Sequence, residues 1–426
     1  MLFQSEKSHS TVFSIVCTAL FCFHALPLFA VDNNSQKIQL QAFTKEYTAS
    51  EILPLHLREK LKGEHYVVDG KVKNIAGINS FKITSDYGTL EVDGNYLLLK
   101  RITEFRVLAE LAEITRGEAF LDSQVDAAKA SVGTVTEAVT HPVKTVKALP
   151  GGVLRIFTGA YEDAENAVSA VTGQTDIVGE LGDSIGTSSS IRSIAKSYGV
   201  DPYSRNPLLQ KEMDRLALFM AAGKKAEEYT KKLLEEDPTA TPNDSNSIIW
   251  AMSLTKLTER NKKILKDMGI EEKSFSPLLS NNNYIPSEVT RMVDAFSSLQ
   301  KVKNIRKLVE VVSQAKTQSE AIFYLRALDM LVLLHEKKGG IDDIALLNLV
   351  PAAIMKNKKI IIVSPVDYAI LYDEEYKIID AFIEQSNVLS INRIELWIEG
   401  LIPVEVNKEL TAKGVIAVAE VFTTYQ

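Results

Sequence analysis

The chain has 426 residues, 46% of them hydrophobic and 24% charged, with a formal net charge of −7 at pH 7. That apolar share supports buried cores and excludes a largely disordered polar chain. Mild acidity without any basic block excludes nucleic acid as the main partner.

The first element is an export signal. Met1 to Ser10 is short and polar, with Glu6 and Lys7, and Thr11 to Ala25 is apolar. Pro27 follows, and Leu28-Phe29-Ala30 closes the run. This order of n-region, apolar core and small-residue exit predicts a signal peptide over residues 1–30, cleaved after Ala30. It places the mature chain in the periplasm or outside the cell. The alternative is an uncleaved N-terminal helix that anchors the chain, since Thr11 to Ala30 is long enough to span a bilayer. The chain's two cysteines, Cys17 and Cys22, both lie in the signal. The mature chain is therefore cysteine-free, which excludes a disulfide framework, a thiol nucleophile and a cysteine-ligated metal.

Residues 31–120 read as a small β element followed by a long helix. His65 to Val72, Phe81 to Ser85 and Thr89 to Val92 have strand composition, with Ser85-Asp86-Tyr87-Gly88 as the turn between the last two. Asp93-Gly94-Asn95 opens a helix to about Phe120, in which Leu98, Ile102, Phe105, Ala109 and Ala112 recur on one side.

Residues 121–190 combine an amphipathic helical hairpin with a Gly/Ser-rich linker. Val125, Ala128, Val132, Val135, Val139, Val143, Val146 and Leu149 follow a three-four spacing and share one helical face. Pro150-Gly151-Gly152 separates this stretch from a second one, in which Val153, Ile156, Phe157, Ala160, Ala164, Ala167 and Val171 again align. Lys129 and Lys147 sit at the edge of the stripe, and Arg155 adds to a basic joint. Such lysines can lay their stems on lipid and lift their ammonium groups into water. The face of Val132, Val135, Val139, Val143, Val146 and Leu149, with Lys129, Lys147 and Arg155, is thus a candidate membrane or partner surface. The plain alternative is burial against the rest of the protein.

Residues 191–340 form a helical domain. Asn206-Pro207 caps a helix to about Glu235, and others are expected over 248–268, 287–313 and 317–338, with Gly339-Gly340 as the last stop. Glu236 to Ser247 and Ser274 to Pro286 read as linkers.

Residues 341–426 change period. Lys359 to Val363 is a strand apolar throughout after its first residue, paired as a hairpin with 346–355. Helix 373–385, strand 393–398, helix 403–413 and a last strand 415–422 follow, giving a β-α-β-α-β unit of ordinary domain size. In open α/β sheets ligands gather at the carboxyl ends of strands, which singles out Asp367 and Tyr368 after the first strand and Glu399 after the second. If these strands are parallel, Asp367 and Glu399 share one edge, where two carboxylates could do acid-base work. Asp367 in Pro-Val-Asp is equally an ordinary turn or cap residue.

Four histidines remain in the mature chain (His56, His65, His141 and His335), none at metal-ligand spacing, and no cofactor or metal is expected. Walker A, G-x-G-x-x-G and H-E-x-x-H are absent. Asp201-Pro202-Tyr203-Ser204-Arg205 has the look of a recognition loop but also of a plain turn. The reading is an α+β multidomain chain: a small N-terminal β element, a predominantly α-helical middle and a C-terminal α/β unit. Its function is that of an exported, non-catalytic envelope or extracellular protein. The alternative is an exported hydrolase with its site at the Asp367/Glu399 edge.

Overall fold

The structure, a computed structural model, describes residues 44–116, 187–221 and 245–425, apart from 339, 348 and 392. The expected export signal, the expected valine-striped hairpin with Val132 to Arg155 and the linkers expected before Thr187 and Ser245 lie outside the described residues.

The first strand, β1 (Thr44–Thr48), is followed by two single-turn helices, α1 (Ala49–Ile52) and α2 (Leu55–Arg58). Then come β2 (Tyr66–Val68), β3 (Lys71–Ile75), β4 (Ile78–Ser85) and β5 (Gly88–Asp93). All pairings in this sheet are antiparallel. β4 pairs with β5 along one edge, and with β3 and β2 in turn along the other. Alternation sends Val72, Phe81 and Ile83 into the core. The expected strand 65–72 is two strands, because Asp69-Gly70 turns the chain between them. Helix α3 (Asn95–Arg116) opens where expected.

The middle is helical: α4 (Thr187–Tyr198), α5 (Pro207–Ala221), α6 (Ser245–Ala251), α7 (Leu254–Asp267), α8 (Glu272–Leu279), α9 (Pro286–Ser298), α10 (Ile305–Val312) and α11 (Gln318–Lys337). Three boundaries differ from expectation. The helix foreseen over 248–268 divides at Ser253, whose hydroxyl caps α7 by accepting the Lys256 N–H. The one foreseen over 287–313 divides before Ile305, where Asn304 takes a left-handed φ of 60°. Residues 274–279 are helix rather than linker, since Phe275 and Leu278 of α8 are fully buried and their packing outweighs the loop-like composition around them, while 280–285 form a loop. α11 is buried on most sides, as its apolar run requires.

The C-terminal sheet runs β10-β9-β8-β7-β6, from β6 (Ile341–Leu347), β7 (Val350–Met355), β8 (Lys359–Ser364), β9 (Arg393–Ile398) and β10 (Val415–Val418). β6, β7 and β8 are antiparallel neighbours, whereas β8, β9 and β10 are parallel. Helices α12 (Asp373–Val388) and α13 (Val404–Ala412) make the two crossovers, so β-α-β-α-β holds. Strand β8 is buried from Ile360 to Ser364, which accounts for its unbroken apolar run. The last strand is shorter than expected, and α14 (Val421–Tyr425) ends the described chain.

The α+β multidomain organisation is therefore present: an N-terminal sheet, a helical middle and a C-terminal α/β unit. One hydrophobic core runs through all three, from Ile52 and Phe81 through Phe296 and Leu328 to Ile361 and Trp397. A smaller core joins the second half of α3 to α4 and α5 through Leu111, Ile194 and Met213. Among the described residues no helix is long and apolar enough to cross a membrane.

Candidate functional site

Parallel pairing of β8 with β9 brings their carboxyl ends side by side. The loop after β8 and the loop after β9 are laced together by backbone: Glu399 N–H donates to Ser364 O at 3.3 Å, Gly400 N–H to Val366 O at 2.9 Å, and Leu401 N–H to Asp367 O at 3.0 Å. Asp367 and Glu399 thus stand at one sheet edge, and each carboxylate already has partners.

The Asp367 carboxylate is buried and faces the N-terminal sheet. Its Oδ2 accepts the Asn79 backbone N–H at 2.8 Å, and its Oδ1 accepts that of Asn95 at 2.9 Å. Asn95 is the first residue of α3, so Asp367 supplies a helix cap across 272 residues of sequence. Gly77 O accepts both the Asp367 and the Tyr368 N–H. Gly77 has φ of +88°, and a Cβ there would come within 3.1 Å of Val366. A buried ladder of amides lies behind: Asn74 Nδ2–H donates to Asn79 Oδ1 at 2.9 Å, and Asn79 Nδ2–H to Asn95 Oδ1 at 3.0 Å. Burial pushes the Asp367 carboxyl up to about 7, against the two backbone donors that pull it down, and Glu399 and Asp93 push the same way as burial.

Glu399 belongs to a different cluster. Arg326 of α11 grips it with a fork, Nε–H to Oε1 at 3.0 Å and Nη2–H to Oε1 at 2.7 Å. The same guanidinium donates to Asp329 at 2.7 Å and lies over the Tyr96 and Phe422 rings, 4.6 and 4.1 Å from their centroids. Arg291 of α9 also donates to Asp329, at 3.0 Å, and to Tyr96 Oη, at 2.6 Å. Burial works against the charge on Arg326, but Glu399 and Asp329 outweigh it and raise its pKa.

Tyr368 joins neither carboxylate. Its ring meets Tyr47 of β1 at 5.5 Å, and burial raises both phenols. The structure therefore brings Asp367 and Glu399 to one edge, yet separates all three side chains by partner. Among the described residues no group of three His, Cys, Asp or Glu side chains could hold a metal.

The larger polar assembly was not legible as a site. The Asp201-to-Arg205 loop is strapped down by side chains from two helices. Asp201 accepts Lys100 Nζ at 2.8 Å and Ser287 Oγ at 2.6 Å, while its other oxygen takes the Tyr203 N–H at 2.9 Å. Glu104 accepts Ser204 Oγ, Asn206 Nδ2 and Arg101. Glu288 accepts Arg205 at 2.8 Å. This loop, with α3, α6 and α9, borders a cleft of about 250 Å³. Asn74 and Asn79 did carry a signal, because asparagine inside a strand is unusual and asks for a partner.

Comparison with protein-family models, curated proteins and solved structures gives no match for this chain.

Proposed function

We propose that the chain is an exported, non-catalytic envelope or extracellular protein that meets a membrane surface or a protein partner through the valine face of residues 121–190. One observation carries the non-catalytic half: both strand-end carboxylates are spent on structure. A general base or nucleophile needs a lone pair within reach of substrate. Asp367 is 4% exposed with both oxygens accepting backbone N–H groups, and Glu399 lies in the grip of Arg326. The exported hydrolase at this edge is correspondingly less favoured.

The export half rests on the layout of Met1 to Ala30 and on the confinement of both cysteines to it. The contact half rests on the spacing of Val132 to Leu149 and the flanking Lys129, Lys147 and Arg155. The described part of α3 reaches Arg116 and that of α4 starts at Thr187, and both helices pack on α5, so the chain leaves and re-enters the described residues at one helical cluster. A stripe of valine and alanine gains little per residue on burial, which suits a surface able to exchange a protein core for lipid.

The test is N-terminal sequencing of exported material followed by flotation of the mature protein with anionic liposomes. A start at Val31 and co-flotation that a Val139→Asp, Val146→Asp double variant abolishes are the expected results. Wild-type protein that stays in the soluble fraction would sink membrane contact and leave a protein partner as the use of this face. An intact Met1 in the membrane fraction would replace cleavage by anchoring.

A further inference from the structure

The cleft between α3, the loop after α4, α6 and α9 has neither strand-end carboxylate in its wall, though Tyr96 and Arg291 join it to the Glu399 cluster, and it has a definite chemical character. Its volume of about 250 Å³ falls just below the roughly 300–1,000 Å³ of clefts that take drug-sized ligands, so it suits a single ring.

The charges in its wall cancel pair by pair. Lys100 is matched by Asp201 at 2.8 Å, and Glu104 by Arg101 at 2.6 Å. Glu288 is matched by Arg205 at 2.8 Å, and Arg291 by Asp329 at 3.0 Å. A charged ligand would find no uncompensated counter-charge and would have to break one of these partly buried pairs. An apolar ligand would strip water from them without returning hydrogen bonds. A neutral molecule rich in hydroxyls can donate to the carboxylates and accept from the ammonium and guanidinium groups without disturbing the charge balance.

The wall also carries Tyr96 and Trp250. The Trp250 indole is fixed by its Nε1–H, which donates to Val200 O at 2.8 Å, so its polar atom is occupied and the ring remains as an apolar surface. A ring with one C–H face and a hydroxyl rim matches an aromatic side chain beside hydrogen-bonding pairs. We propose that this cleft binds one neutral saccharide ring, with Trp250 against its C–H surface and Lys100, Asp201 and Arg291 at its hydroxyls.

The chain's other tryptophan, Trp397, is fully buried in the C-terminal sheet, so Trp250 reports on the cleft. The experiment titrates the full chain with glucose, galactose and N-acetylglucosamine separately, following tryptophan emission and, in parallel, heat by calorimetry. At least one sugar should give a saturable change in both readouts. Asn246, an exposed residue of the wall, provides the variant. Asn246→Ala should leave the melting temperature unchanged and weaken that sugar about threefold to tenfold, the worth of one net hydrogen bond. Absence of saturation with all three sugars would overturn the proposal. So would inorganic phosphate that saturates the emission change more tightly than any sugar, which would make the ligand an anion.

Discussion

Asp367 Oδ1 accepts the backbone N–H of Asn95 at 2.9 Å, so a loop of the C-terminal sheet caps the helix that leaves the N-terminal one. The other oxygen takes the Asn79 N–H, and the two donors together occupy the carboxylate. An amide in its place can accept at one atom only. Asp367→Asn should therefore leave one buried N–H without a partner and cost about 1–3 kcal/mol, and Asp367→Ala, which strands both, should cost more. Urea denaturation measures this. An unchanged midpoint in both variants would show that the cap carries no stability.

Arg326 and Glu399 tie α11 to the end of β9, with the guanidinium over the Tyr96 and Phe422 rings. Both side chains are mostly buried, at 13% and 14% exposure. Removing one partner of such a pair leaves a desolvated charge, at about 3–5 kcal/mol. Glu399→Gln and Arg326→Met should both be strongly destabilising. Arg326→Lys should not rescue, because an ammonium cannot fork onto Glu399 and reach Asp329 while stacked on two rings. Recovery of the wild-type melting temperature by the lysine variant would refute this account.

Asp214 of α5 titrates in a different direction from a salt-bridged acid. Burial alone raises its carboxyl to about 6. Its folded pKa exceeds the unfolded value near 3.9, so its stabilising contribution is full below about pH 4 and is lost as pH rises through about 6. Asp214→Asn removes the charge that burial opposes. The variant should gain on the order of 1–2 kcal/mol at pH 8 and nothing at pH 4. Melting temperatures across that range decide it, and an equal effect at both pH values would point to packing instead.

The strand-end geometry was readable because it follows from composition. Lys359 to Val363 is apolar at every position but the first, which only a strand covered on both faces permits, and a parallel neighbour after a helix then places Asp367 beside Glu399. The partners of the two carboxylates were not readable. Asn79, Asn95 and Arg326 lie 288, 272 and 73 residues away in sequence, and no local periodicity encodes such distances. Residues 274–286 misled for a related reason: Ser, Asn and Pro favour loops locally, but burial of Phe275 and Leu278 decides the helix. Likewise, Asp201 to Arg205 is a tight turn by composition, and its role as an anchor for α3 and α9 comes from distant side chains, Lys100, Glu104, Ser287 and Glu288 among them.

At Gly400 the two strand-end loops press together backbone to backbone. A Cβ there would lie 1.8 Å from Asp367 O and 2.3 Å from its carbonyl carbon, both backbone atoms that cannot rotate aside. The close approach lets Leu401 N–H donate to Asp367 O while Ala369 N–H donates to Leu401 O at 2.9 Å, a short parallel bridge that fixes the peptide carrying Asp367. Gly400→Ala must push the loops apart. That breaks the bridge and draws the carboxylate away from Asn79 and Asn95, so its cost should equal or exceed that of Asp367→Asn. Both changes disable one junction, and the double variant should lose less than the sum of the two. Gly70→Ala is the control, since a methyl there meets nothing within 4 Å and φ is not positive. It should shift stability by less than about 1 kcal/mol, with reduced freedom of the unfolded chain favouring the variant. Strict additivity of Gly400→Ala and Asp367→Asn in urea denaturation would mean that the glycine acts elsewhere and that the loop contact does not hold the cap in place.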